Sequence, residues 1–145
     1  MMDLPDINVW LALVDENHTH HSTARRYWNE QLGQQAAFCR VTMLGLLRLS
    51  TQPRVLSRTL SNEEAWRIYR HYLTTPEVRF LAEPAQTEAQ FSALTLPGDM
   101  PQRLWTDAYL AAFAMAGNCR LVSFDSDFKR FPHLNFLHLA PPPTT

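Results

Sequence analysis

Short apolar runs alternate along the chain with longer stretches in which apolar residues recur at helical spacing. The first run begins at Leu4 and continues into a helix through Leu13, and further runs predict strands over 36–41, 78–81, 120–124 and 135–139. Helical spacing predicts helices over 20–32, 43–49, 62–72, 83–94 and 102–116. Strands separated by helices in this order favour an α/β fold, with a central, mostly parallel sheet flanked by helices.

Residues with capping and turn preferences mark the ends of these helices. Thr42 is predicted as the N-cap of the 43–49 helix, and Ser61, with acidic residues in the turn after it, as the N-cap of the next. Gly33 and the Gly117–Asn118 pair are expected to end helices, and the segment 97–101 is expected to be a loop. The helix over 102–116 is therefore well bounded at both ends.

The length of 145 residues predicts one domain, over 1–140, followed by a flexible proline-rich tail over 141–145. Hydrophobic residues make up 46% of the chain and charged residues 19%, which is typical of a soluble globular protein. No apolar stretch is long enough to span a membrane. The first apolar run has no basic region before it, so it does not resemble a secretory signal, and a cytoplasmic location is expected.

The charge balance and the cysteine count exclude two classes of protein. A net charge of −1 argues against a protein that coats nucleic acid by bulk attraction, although local basic patches remain compatible with it. Cys39 and Cys119 are too few and too far apart for a disulfide framework or a zinc site built on paired cysteines. Both are expected to be small buried residues.

Three aspartates lie in otherwise apolar surroundings. Asp6 and Asp125 follow predicted strands, Asp107 lies near the start of an alanine-rich helix, and Asp127 comes just after Asp125. The carboxyl ends of parallel strands meet at one edge of a sheet, where ligands bind in open α/β folds. Each aspartate taken alone is also compatible with a helix cap or a turn. Taken together, they predict one acidic site.

Acids that share one site repel one another, and a divalent cation relieves that repulsion. Two carboxylates about 4 Å apart repel by roughly 4 kcal/mol at an effective dielectric constant near 20. Ligand sets made only of oxygen favour hard ions such as Mg²⁺ or Mn²⁺, which in turn suit phosphate substrates. The acidic residues therefore predict metal-assisted hydrolysis of a phosphodiester.

Three segments carry a resemblance to a known family: LPDINVWLAL at 4–13, WTDAYLAA at 105–112 and LVSFDSDF at 121–128. In this order and spacing they resemble the sequence blocks of PIN-domain proteins of the VapC type. The resemblance implies a PIN-like three-layer fold and cleavage of RNA by an endoribonuclease that depends on Mg²⁺ or Mn²⁺. It also implies a role as the toxin of a toxin–antitoxin pair, a VapB-like antitoxin as partner, and a homodimer.

The same resemblance assigns roles to individual residues. Asp6, Asp107 and Asp125 match the catalytic metal ligands of the family, and Asp127 matches a neighbouring acid whose role varies. Asn8 and Ser123 are candidates for supporting these ligands through hydrogen bonds.

One position departs from the family pattern. Met43 stands where the family has a glutamate, and no Asp or Glu occurs between Gln31 and Asn62 to replace it. The family ligand set is therefore one carboxylate short. This departure supports the alternative of a degenerate PIN domain that binds RNA or a protein partner without cleavage.

Several other features have simpler interpretations. Lys129 and Arg130 directly follow the acidic segment and are the best candidates for binding substrate phosphates. The three histidines His18, His20 and His21 are interpreted as a solvated helix start rather than a metal site. The aromatic side chains at 66, 69 and 72 are expected to lie in the core or in a partner groove.

The short segment after Asp125 argues against a second enzyme class. An aspartate after a hydrophobic strand, followed by a second aspartate, is also found in phosphatases of the haloacid-dehalogenase kind. In that class the nucleophilic aspartate lies early in the chain and a long domain follows it. Here only residues 126–145 follow Asp125.

Overall fold

Five parallel strands form one central sheet in a computed structural model that describes residues 1–140. The strand order is β3-β2-β1-β4-β5, and every neighbouring pair is parallel. The predicted tail over 141–145 lies outside the described residues. The strands are β1 (Met2–Pro5), β2 (Gln35–Phe38), β3 (Val78–Phe80), β4 (Cys119–Ser123) and β5 (Phe136–His138).

Six α-helices cover the two faces of the sheet: α1 (Ile7–Val14), α2 (His21–Arg26), α3 (Arg40–Ser50), α4 (Asn62–Leu73), α5 (Thr87–Thr95) and α6 (Trp105–Ala116). Alternate strand residues point to opposite faces. Val122 accordingly packs in one apolar cluster with residues of α1 to α4, and Leu121 packs in a second cluster with α5 and α6. The predicted three-layer α/β fold is confirmed.

Helices α1 and α3 approach each other closely beside the end of β1. A Cβ atom added at Gly45 would collide with the Ile7 side chain, so only glycine permits this packing. Deeper in the same cluster, the Trp10 and Phe38 rings stack with their centroids 3.9 Å apart. This packing holds the start of α1 firmly against the sheet.

Two predicted helix starts are wrong. Helix α3 begins at Arg40 with Cys39 as its N-cap, so Thr42 lies inside the helix, and its hydroxyl accepts the Cys39 N–H at 3.0 Å. Helix α5 begins at Thr87 rather than at 83, because the chain first makes a turn in which the Thr87 N–H donates to the Pro84 carbonyl. The N-cap at Ser61 and the loop over 97–101 are confirmed.

A buried ion pair lies near the amino ends of β1 and β4. Asp3 is fully buried and accepts two hydrogen bonds of 2.9 Å from the Arg120 guanidinium, its register partner on β4. It also accepts the Tyr27 hydroxyl at 2.6 Å and the Gly33 N–H at 3.1 Å. Asp3 lies near the amino end of β1, whereas Asp6 follows the carboxyl end of that strand, so Asp3 belongs to a separate, structural ion pair.

The cysteines and the lengths of the helices complete the description of the fold. Both cysteines are free and buried, as expected. Over residues 1–140, none of the helices is long and apolar enough to cross a membrane.

Candidate active site

The carboxyl ends of β1 and β4 bring two predicted site residues to the same edge of the sheet. Pro5 is paired with Val122 in the parallel register, and the Asp6 N–H donates to the Val122 carbonyl at 2.8 Å. Asp6 follows β1 directly, and Asp125 comes two residues after the last residue of β4. Both acids therefore lie where ligands bind in open parallel sheets.

Asp6 is held in place by two hydrogen bonds. As the N-cap of α1 it accepts the Ile7 N–H at 2.8 Å with one carboxylate oxygen, and the Ser123 hydroxyl at 2.8 Å with the other. Its side chain is only 8% exposed. Burial raises the pKa of Asp6, and the nearby charge of Asp125 raises it further, while the two hydrogen bonds oppose these effects.

Ser123 connects the two strand ends. Its hydroxyl donates to Asp6 and accepts the Asn8 side-chain amide at 3.1 Å and the Asp125 N–H at 3.0 Å. The Asn8 oxygen in turn accepts the Phe124 N–H at 3.3 Å. Asn8 and Ser123 therefore lie in a hydrogen-bonded chain that reaches Asp6 and the backbone of Asp125, and their supporting role stays a prediction.

Three further carboxylates form the acidic cluster, which consists of Asp107, Asp125 and Asp127. One oxygen from each lies within 4.8 Å of the others, which is close enough for one cation to contact all three. Asp107 comes from the first turn of α6, and Asp125 caps a short 3₁₀ turn over Ser126–Arg130 by accepting the Asp127 N–H at 2.8 Å.

The charges in this cleft interact strongly. The pKa of Asp107 rises to about 7, chiefly because the group is partly buried, and next because Asp6, Asp125 and Asp127 lie nearby. Asp6 lies outside the 4.8 Å cluster but acts on Asp107 through space. The four predicted acids therefore create one region of negative electrostatic potential, which favours the binding of a cation.

A residue absent from the sequence predictions also reaches this cleft. Arg103, in the 3₁₀ turn Gln102–Leu104 before α6, places one guanidinium nitrogen 2.6 Å from a carboxylate oxygen of Asp127. This ion pair lowers the pKa of Asp127. No local signal in the sequence could have found this contact, because Arg103 and Asp127 are 24 residues apart in the chain.

Met43 packs in the apolar core on α3 and contributes no charge to the acidic cluster. Its side chain is buried, and its sulfur accepts an N–H from Arg40 at 3.1 Å.

The predicted phosphate ligands are Lys129 and Arg130. Both are exposed at the end of the 3₁₀ turn that carries Asp127. They lie on the solvent side of the site.

The histidines do not converge on a metal position. The His20 ring stacks on Phe124 with centroids 4.8 Å apart, while a nitrogen of His21 lies 2.7 Å from the Ala12 carbonyl oxygen. Among residues 1–140, the side chains that lie close enough together to share one metal ion are those of the acidic cluster.

The aromatic residues on α4 differ in burial. Tyr69 is buried, whereas Trp66 is 39% exposed.

Comparison with known proteins places this geometry in context. Residues 4–134 match the model of the PIN domain family. The chain is 38% identical over 146 residues to the ribonuclease VapC41 of Mycobacterium tuberculosis, with 96% of this chain and 99% of the relative covered. It is 30% identical to the ribonuclease VapC33 of the same organism, with 93% and 96% covered.

Solved structures share the fold. The chain superimposes on VapC20 of Mycobacterium tuberculosis, described as a toxin that cleaves the sarcin–ricin loop, with a TM-score of 0.70, 18% identity, and 92% and 97% of the two chains covered. It superimposes on a chain of the DNA-bound VapBC2 structure from Rickettsia felis with a TM-score of 0.67, 15% identity, and 97% and 100% covered.

Proposed function

This chain belongs to the PIN-domain family, and on that premise we propose that it is a metal-dependent endoribonuclease acting as the toxin of a VapBC-type toxin–antitoxin pair. Two curated relatives that it matches over nearly their full length are named as VapC ribonucleases. The observation that carries the proposal is the acidic cluster at the carboxyl edge of the sheet, with Asp6 beside it.

The donor atoms fit a hard divalent ion. Asp107, Asp125 and Asp127 offer only carboxylate oxygens, within 4.8 Å of one another, and these suit Mg²⁺ or Mn²⁺. We assign these three residues and Asp6 as the groups that would hold the ion. When bound, such an ion supplies Lewis-acid activation of water and of a phosphate oxygen. The pKa of Asp107 is raised first by burial and second by the negative charges of Asp6, Asp125 and Asp127, and a cation would neutralise that second contribution.

The other residues of the site position these acids and the substrate. The Ser123 hydroxyl fixes the orientation of the Asp6 carboxylate at 2.8 Å, and Asn8 holds Ser123 in turn. Lys129 and Arg130 are exposed beside the cleft and are suited to contact RNA phosphates. We assign Asp6, Asp107 and Asp125 the catalytic role because Asp6 and Asp125 follow the carboxyl ends of β1 and β4, and Asp107 comes from the first turn of α6.

The proposed partners follow from the relatives. Three of the structurally similar proteins are described as VapBC complexes, which supports a VapB-like antitoxin as the partner of this chain. The excess negative charge of the cleft also favours inhibition by the partner, because an arginine or lysine of the partner that bound there would neutralise this charge. We further propose a homodimer. Coexpression with the product of the adjacent reading frame, followed by copurification, tests the partnership.

Met43 favours a second candidate function, a degenerate PIN domain that binds RNA without cutting it. The buried Met43 side chain leaves α3 with no carboxylate for the site. RNA cleavage in Mn²⁺ by the purified parent, compared with Asp6→Asn, separates the two. Cleavage by the parent and none by the variant supports the enzyme. RNA binding without cleavage by either protein supports the degenerate domain.

A further inference from the structure

Arg103 is a positively charged side chain that contacts the acidic cluster through Asp127. The Arg103 side chain is 65% exposed, whereas the Asp127 side chain that it contacts is 35% exposed. Most of the Arg103 side chain is therefore open to solvent while one guanidinium nitrogen contacts Asp127. Asp125 and Asp107 also act on Arg103 through space, so the guanidinium lies in the field of the whole cluster.

We propose that Arg103 has two successive partners: it neutralises Asp127 while the cleft holds no divalent ion, and it binds an RNA phosphate once an ion takes its place. This inference rests on the proposed function. It makes Arg103 a substrate-positioning residue rather than a structural one, and it names the phosphate backbone as its ligand.

The first half of the proposal follows from competition for one carboxylate. Asp127 supplies one of the three oxygens within reach of a single ion, and Arg103 lies 2.6 Å from that carboxylate. An ion pair this exposed contributes little to stability, so a divalent ion can displace it readily. Arg103 therefore lowers the affinity for the ion without blocking its binding.

The second half follows from the chemistry of the guanidinium. Arginine has a planar fork of N–H donors that matches two phosphate oxygens at once and remains charged at any physiological pH. A guanidinium released from Asp127 stays tethered at the cleft by the 3₁₀ turn Gln102–Leu104, which leads directly into α6 and Asp107. It is thus positioned to contact a phosphate that approaches the ion.

Calorimetric titration with Mn²⁺ tests the competition, and its readout does not depend on activity. We expect Arg103→Gln to bind Mn²⁺ about three- to tenfold more tightly than the parent, since an exposed ion pair is worth up to about 1 kcal/mol and its charge is also removed. Arg130→Gln is the matched control, because Arg130 also acts on Asp127 through space but makes no direct contact with it. We expect that control to change the affinity by about twofold or less.

A double-mutant cycle separates competition from a general effect of charge. In an Asp127→Asn background, Arg103→Gln should leave the Mn²⁺ affinity unchanged within about twofold, because the contested carboxylate is gone. An equal gain in Mn²⁺ affinity in both backgrounds, or no gain in the parent background, would overturn the proposal that Arg103 and the ion compete for Asp127.

Steady-state cleavage of RNA tests the phosphate contact. Arg103→Gln should raise KM about tenfold and lower kcat less, and Arg103→Lys should restore part of the loss in KM, because lysine keeps the charge without the fork. An unchanged KM in Arg103→Gln would overturn this half. Failure of the proposed function is distinguishable, since the parent would then cut no RNA while the titration with Mn²⁺ would still report on Arg103.

Discussion

Replacing Asp107 by asparagine is expected to stabilise the protein when no divalent ion is present. The substitution keeps the shape of the side chain and removes a charge that burial and three neighbouring acids disfavour. The pKa of Asp107 rises from 3.8 to about 7, which corresponds to about 4 kcal/mol if the whole effect acts on folding. Solvent screens this half-exposed group, so we expect a gain of about 1–2 kcal/mol in the free energy of unfolding.

The gain should depend on pH in a defined window. Folded protein keeps the Asp107 proton up to about pH 7, whereas the unfolded chain releases it near its ordinary pKa of 3.8. The folded state therefore binds more protons between these values, and the stability contributed by this group falls as the pH rises from about 4 to about 7. Asp107→Asn should match the parent near pH 3.5 and reach its full advantage at pH 8.

Urea unfolding of EDTA-treated protein at pH 3.5, 6 and 8 measures this difference. Asp99→Asn, in the exposed loop between α5 and α6, is the control and should change stability little at each pH. Equal stability of Asp107→Asn and the parent at pH 8, or a less stable variant, would refute the argument that the neighbouring acids destabilise this carboxylate.

Four further outcomes are expected. Mn²⁺ should bind about tenfold more weakly at pH 6 than at pH 8, because the proton on Asp107 competes with the ion below its pKa of about 7; calorimetry showing equal affinity would contradict this. Met43→Glu supplies the carboxylate that α3 lacks, so it should let the site hold a second Mn²⁺ more tightly than the parent does, and titration that shows no such gain would refute a role for the missing carboxylate. Asp3→Asn should cost about 3 kcal/mol in urea unfolding by leaving Arg120 without its buried partner, and a loss below about 1 kcal/mol would count against it. Asp6→Asn should abolish RNA cleavage while circular dichroism stays that of the parent, and a misfolded variant would make Asp6 structural.

The features that could be predicted from sequence are those encoded by neighbouring residues. Asp6 and Asp125 were visible because each acid follows an apolar run, and parallel strands bring such ends together. The five strands and the α/β order followed from periodicity in the same way. Asp107 was identifiable only in combination with the other acids, because an acid in the first turn of a helix is common by itself.

The features that could not be predicted depend on partners distant in the chain. Asp3 and Arg120 are 117 residues apart, and only the register of β1 and β4 makes them a buried pair. Arg103 meets Asp127 because a 3₁₀ turn and the turn after β4 face each other, which no local pattern encodes. The start of α3 was misplaced because Cys39, a poor N-cap by composition, is aided by the Thr42 hydroxyl.

RNA cleavage by the purified protein tests the central claim most directly. The parent should cut RNA when Mn²⁺ is supplied, stop when EDTA is added, and resume when Mn²⁺ is restored in excess. Asp125→Asn should show no cleavage under any of these conditions while its circular dichroism spectrum stays that of the parent. Cleavage that persists in EDTA, or that Asp125→Asn retains at the rate of the parent, would contradict a metal-dependent nuclease built on the acidic cluster.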